Sequence, residues 1–130
     1  MNPFRPTVSD ADLLAYIDQW AAFMEAEDYA TAFAFVGHIP ETNWTPELLR
    51  LVVKSYDEAD PNQRVTVDGV PTDITQRKTV TRWPTNARKV IGEIWYDLNI
   101  DGKASDLTAK FDLKLTDRGI TIYLNQIHVM

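Results

Sequence analysis

The sequence predicts an α+β domain in which N-terminal helices pack on one face of a curved antiparallel sheet. Three observations carry that expectation. Apolar residues recur at helical spacing from Leu13 to Tyr56. From Arg88 to Met130 they alternate at period two, the signature of strands with one buried face. Between those strands stands Asp101-Gly102, the dipeptide that a two-residue type I′ hairpin favours because both central residues take positive φ. Helices first and strands last is the order that the layer rule resolves as α+β.

Taken in order, Ser9 followed by Asp12 reads as a helix cap, with early acids facing the positive end of the helix dipole. Leu13, Ile17, Trp20 and Met24, flanked by Leu14 and Ala21, form one stripe along that first helix. A break is expected at Glu27-Asp28, where the apolar phase slips by a residue. Tyr29, Ala32, Phe33 and Val36 then make a second, short helix ending at Gly37. Thr45-Pro46-Glu47 supplies a cap, a first-turn proline and a first-turn acid for a third helix through Leu48, Leu49, Val52, Val53 and Tyr56. Residues 57–63 are polar and contain a proline, so a loop follows. The β-branched content between Arg64 and Trp83 predicts one or two strands, interrupted at Asp68-Gly69 and Pro71 and closed by Pro84.

The turns set the expected register of the last three strands. A tight turn at Asp101-Gly102 places Ile100 opposite Lys103, Tyr96 opposite Leu107, Ile94 opposite Ala109 and Glu93 opposite Lys110. A second turn over Thr116-Asp117-Arg118-Gly119 places Leu115 opposite Ile120, Ala109 opposite Gln126 and Leu107 opposite His128. Strict alternation then gives a core face of Val90, Ile94, Tyr96, Leu98, Leu107, Ala109, Phe111, Leu113, Leu115, Ile120, Ile122, Leu124, Gln126 and His128. The outer face carries Glu93, Trp95, Asp97, Thr108, Lys110, Asp112, Lys114, Thr121, Tyr123, Asn125, Ile127 and Val129.

At 130 residues the chain has the length of a single domain, 1–130, with a core of its own. It contains no cysteine, which excludes a disulfide framework, a thiolate metal site and a cysteine nucleophile. A net charge of −6 argues against a nucleic-acid partner, whose phosphates demand cationic neutralisation. There is no basic-then-apolar N-terminal signal, and no apolar run approaches the roughly 20 residues that span a bilayer. A cytoplasmic protein without membrane contact is expected. Acids at Asp10, Asp12, Asp18, Glu25, Glu27 and Asp28 and bases at Arg77, Lys78, Arg82, Arg88 and Lys89 read as solvated or mutually neutralising faces.

A long first helix, a second helix opening Asp28-Tyr29-Ala30-Thr31-Ala32 and a closing meander resemble the NTF2-like superfamily, also called cystatin-like or SnoaL-like. Trp95-Tyr96-Asp97-Leu98, Asp101-Gly102, Ser105-Asp106-Leu107-Thr108-Ala109 and Ile127-His128-Val129-Met130 also resemble a family of small bacterial proteins known only as a domain of unknown function. The superfamily resemblance implies a cone between sheet and helices that holds a small ligand, and dimers formed through the outer sheet face. Its enzymes carry an Asp, a His-Asp pair or a Tyr in the cone, patterns with no residue-by-residue match here.

Two candidate sites follow. Tyr16, Trp20, Tyr96, Gln126 and His128 are the pocket candidates, polar or aromatic groups on the face toward the cone. Each also has a plain structural reading as a core aromatic or a backbone-bonded polar group. Trp95, Thr108, Tyr123 and Ile127 are the interface candidates, an apolar patch ringed by Glu93, Lys110, Asp112 and Lys114 and suited to a homodimer or another protein. Asp97-x-Asn99-x-Asp101-Gly102 opens like a calcium loop, but its twelfth position is Thr108 and strands flank it, so polar hairpin residues pointing to water explain it better. His38 and His128 are far apart and lack carboxylates at ligand spacing, so neither a metal nor a cofactor is expected. A non-catalytic NTF2-like binding domain is the leading expectation. The alternative is a small isomerase, dehydratase or hydrolase with Tyr96 and His128 as acid and base.

Overall fold

In a computed structural model, residues 2–84 and 89–129 are described. The architecture is α+β, three helices and an antiparallel five-stranded sheet. Helix α1 (Asp10–Glu25) starts as its sequence demands, with the Ser9 hydroxyl accepting from the Asp12 amide at 3.1 Å. It ends where Glu27 takes a left-handed conformation, and Asp28 then caps α2 (Tyr29–Phe35) through the Thr31 amide. Gly37 does not act as a left-handed helix stop. Val36 is already extended, and Gly37 pairs with Tyr123, where a Cβ would lie 2.8 Å from the Tyr123 ring. A single 3-10 turn (Pro40–Thr42) leads to α3 (Pro46–Lys54), capped by Thr45 on the Leu48 amide.

The strands are β1 (Val65–Thr66), β2 (Lys78–Arg82), β3 (Val90–Ile100), β4 (Lys103–Thr116) and β5 (Gly119–Val129). Both β1 and β2 pair with the same edge of β3, followed by β4 and β5. The Asp101-Gly102 turn has positive φ at both residues, 50° and 77°, and Ile100 pairs with Lys103 as expected. Gly92 is required for a different reason: β2 approaches so closely that a Cβ there would lie 2.2 Å from the Thr81 carbonyl oxygen.

Three register shifts separate the sheet from strict alternation. Asn99 pairs with Ala104 but Asp97 pairs with Thr108, so Leu98 is opposed by Ser105, Asp106 and Leu107. Tyr96 therefore faces Ala109 rather than Leu107, Ile94 faces Phe111 rather than Ala109, and Glu93 faces Asp112 rather than Lys110. A shift of two preserves the faces, and the Leu98 carbonyl freed by the irregularity accepts from Ser105 Oγ at 2.6 Å and Gln76 Nε2 at 2.9 Å. Near the start of β3, Ile91 is extra, which places Val90 opposite Lys114 rather than on the core side.

The third shift matters most. Phe111 pairs with Leu124 but Lys110 pairs with Gln126, so Asn125 is an extra residue in β5. Every side chain beyond it changes face. Gln126 lies opposite Lys110, not Ala109; His128 lies opposite Thr108, not Leu107; Ile127 pairs with Ala109 and is only 5% exposed. The bulge is held from both sides. Trp44 Nε1 donates to the Asn125 carbonyl at 3.0 Å, and the Asn125 amide reaches the Asp112 carboxylate at 3.2 Å.

The core lies between α1 and the sheet. Leu13, Ile17, Trp20 and Met24 from α1 meet Ile94, Tyr96, Phe111, Leu113, Ile122 and Leu124, all fully or almost fully buried. Trp20 packs edge-on against Phe111 with ring centroids 5.1 Å apart. Asp10 and Arg82 neutralise each other at 2.8 Å, tying the start of α1 to β2. Among the described residues, no helix is long and apolar enough to cross a membrane. Arg88 and Met130, which figured in the sequence reading, lie outside the described residues.

Candidate functional site

On the outer face of the sheet, the segment joining β1 to β2 folds back toward β3 and leaves a cleft of about 400 Å³. Ile74, Thr75, Arg77, Trp95, Asp97, Asp106 and Thr108 line it. Asp97 is its organising group. Only 5% exposed, its carboxylate accepts from Trp95 Nε1 at 2.7 Å, from Thr108 Oγ1 at 2.6 Å and from the Arg77 amide at 2.7 Å. A buried carboxylate needs such donors to offset desolvation, and here they come from three strands or their flanks.

With its indole N–H tied to Asp97, Trp95 turns its ring toward the cleft wall. The Arg77 guanidinium lies over that ring, 4.2 Å from its centroid, and Lys110 Nζ lies 5.8 Å away. Asp106 comes from the irregular stretch of β4. One of its oxygens accepts from the Tyr56 hydroxyl at 2.7 Å. Burial first, and the Asp106 carboxylate second, push the Tyr56 phenol above the usual tyrosine range.

Within the Asp97-x-Asn99-x-Asp101 run, Asp97 and Asn99 are buried rather than pointing to water, whereas Asp101 is exposed. Asn99 donates to the Val67 carbonyl at 2.9 Å, and the Asp101 carboxylate accepts from the Arg64 amide at 3.1 Å. Together with Asp97 they anchor the 64–77 segment whose far end walls the cleft. No group of three or more acidic or histidine residues among the described residues has metal-site geometry.

The five pocket candidates do not converge. Tyr16 stacks on Phe35 at 4.1 Å and donates to the Phe35 carbonyl at 2.5 Å. Trp20 is fully buried, with its Nε1 unpartnered among the described residues. Tyr96 is buried on the core face and donates to Asp18 at 2.5 Å; burial and that carboxylate raise its pKa far above the ordinary value. The bulge at Asn125 puts Gln126 and His128 on the opposite face. Tyr96 and His128 therefore lie on opposite faces of the sheet.

The interface candidates are dispersed as well. Thr108 is fully buried under the cleft and Ile127 belongs to the core face. Trp95 is half-buried beneath Arg77, and Tyr123 is half-buried with Lys114 Nζ 5.8 Å from its ring. The exposed large apolar side chains lie elsewhere, at Leu48, Leu51, Val70, Trp83 and Val129.

Sequence reasoning placed Trp95 and Thr108 on the outer face but missed Ile74, Thr75, Arg77 and Asp106 as their neighbours. A two-residue period cannot foresee an irregularity that brings in Asp106, nor a loop that returns Arg77. The motifs quoted from β3 and β4 nevertheless meet at this cleft, and His128 from the last motif pairs beside Thr108. Compared with protein-family models, curated proteins and solved structures, the chain matches none.

Proposed function

We propose that this chain is a non-catalytic binding domain that takes a small ligand in the cleft on the outer face of its sheet. The observation that carries the reading is the preorganised floor: a buried Asp97 holding the Trp95 indole, the Thr108 hydroxyl and the Arg77 backbone in one constellation. Sites of this kind combine an aromatic wall with a few fixed polar groups, and about 400 Å³ falls among the usual small-molecule sites. The filled space between α1 and the sheet favours this face over a cone. Helices preceding a sheet bent by three register shifts support an NTF2-like relationship. A homodimer is not needed by the proposal, because two of its four expected contact residues are buried. A cytoplasmic setting rests on the sequence reading.

The reading is tested by screening a fragment library against the 15N-labelled protein, with the Trp95 indole N–H resonance as reporter. Fragments that shift it, and lose affinity for Trp95→Ala, are the expected result. A library in which nothing perturbs that resonance would overturn the proposal.

A further inference from the structure

Three ion pairs join described residues, Lys54 to Glu27, Arg82 to Asp10 and Lys110 to Glu93. Neither Arg77 nor Asp106 is in any of them. The guanidinium rests on the Trp95 ring with no side-chain hydrogen bond among the described residues, leaving its planar set of donors unspent. Asp106 has one oxygen fixed by Tyr56, which orients the carboxylate, and the other oxygen makes no bond among the described residues. Opposite charges thus line one cleft without pairing with each other.

That arrangement selects among ligands. A simple anion drawn to Arg77 would share the cleft with the Asp97 and Asp106 carboxylates, and a simple cation drawn to Asp106 would meet the guanidinium. Asp97 cannot serve an incoming ammonium well, since its two oxygens already accept three internal hydrogen bonds. We infer that the cleft binds a small zwitterion of the amino-acid class, its carboxylate on the Arg77 guanidinium and its ammonium on the free oxygen of Asp106. Trp95 and Ile74 supply the apolar wall for the side chain. The inference rests on the binding reading above and specifies its ligand.

The test follows the Trp95 indole resonance during titration with L-leucine, L-phenylalanine and the dipeptide Gly-Leu, beside N-acetyl-L-leucine and L-leucine amide. The zwitterions should bind, and capping either charge should weaken binding by about tenfold or more, as expected for loss of one charge-assisted contact. Arg77→Gln should weaken L-leucine but not L-leucine amide, and Asp106→Asn should weaken L-leucine but not N-acetyl-L-leucine, because each variant also removes the like charge that the capped ligand meets. Because the capped ligands act on the unaltered protein, the result does not depend on the variants folding. Equal binding of capped and uncapped forms, or silence from all three zwitterions, overturns the ligand class. Fragments that still shift Trp95 in that case leave the binding reading standing, whereas silence from both panels ends both.

Discussion

Replacing Asp97 with Asn tests whether the carboxylate, and not merely a polar group of that shape, assembles the cleft. One oxygen serves Trp95 Nε1 and Thr108 Oγ1, the other the Arg77 amide. An amide has a single acceptor oxygen. Set toward Trp95 and Thr108, it turns its NH2 on the Arg77 N–H, donor against donor; flipped, it opposes the indole N–H, while the Thr108 hydroxyl rotates to accept. Either way one hydrogen bond to a charged acceptor is lost, worth about 1.5–3 kcal/mol, and the remaining ones weaken. Both contacts are part-buried, and the net cost is about 2 kcal/mol. In urea unfolding this moves the midpoint down by about 1 M without changing the slope. The Trp95 indole resonance should move with it. Thr108→Val removes one partner from the same carboxylate and should cost about 1 kcal/mol, less than additively with Asp97→Asn. An Asp97→Asn protein within about 0.5 kcal/mol of the parent, the range of ordinary surface changes, would refute the assignment.

The face assignment beyond Asn125 is checked by a pair of truncations in β5: Ile127→Ala should cost about 2–3 kcal/mol in urea unfolding and His128→Ala less than about 1. The reverse order would restore the unbulged register. His38 gives a pH signature. Burial lowers its pKa from 6.5 against a smaller opposing effect of the Phe33 carbonyl, which Nε2 contacts at 2.6 Å, and its buried Nδ1 has no partner among the described residues to receive a second proton. The unfolded chain takes up that proton more readily, so this contribution to stability is full above pH 6.5 and is lost as pH falls from there through the folded value. Relative to His38→Gln, the parent should lose stability over that interval; a flat difference would remove the assignment.

Local chemistry was legible wherever a residue's own backbone neighbours decide the outcome. Ser9, Asp28 and Thr45 each satisfy amides within one turn, so the three helix starts follow from the sequence. The left-handed break at Glu27 and the Asp101-Gly102 hairpin are likewise short-range. The apolar stripe of α1 identified its buried side because that side has no other means of leaving water.

Register was legible beside the turns, where Ile100 pairs with Lys103 and Leu115 with Ile120, but not beyond the irregularities, because a bulge depends on partners distant in sequence. Nothing around Asn125 announces that Trp44 will bond its carbonyl, yet that bond and the Asp112 contact stabilise an extra residue and exchange the faces of Gln126, Ile127 and His128. The cleft has the same origin. Asp97 looked like a solvent-facing hairpin residue until Arg77, twenty positions earlier, returned its amide to the carboxylate. Sequence by itself determined the α+β class from its periodicities, and the helix starts and the hairpin turn because these are fixed by contacts within a few residues. Tertiary structure alone decided which face each late β5 residue occupies and which charges share a cleft, since period-two alternation carries no information about where the chain inserts a residue or folds back.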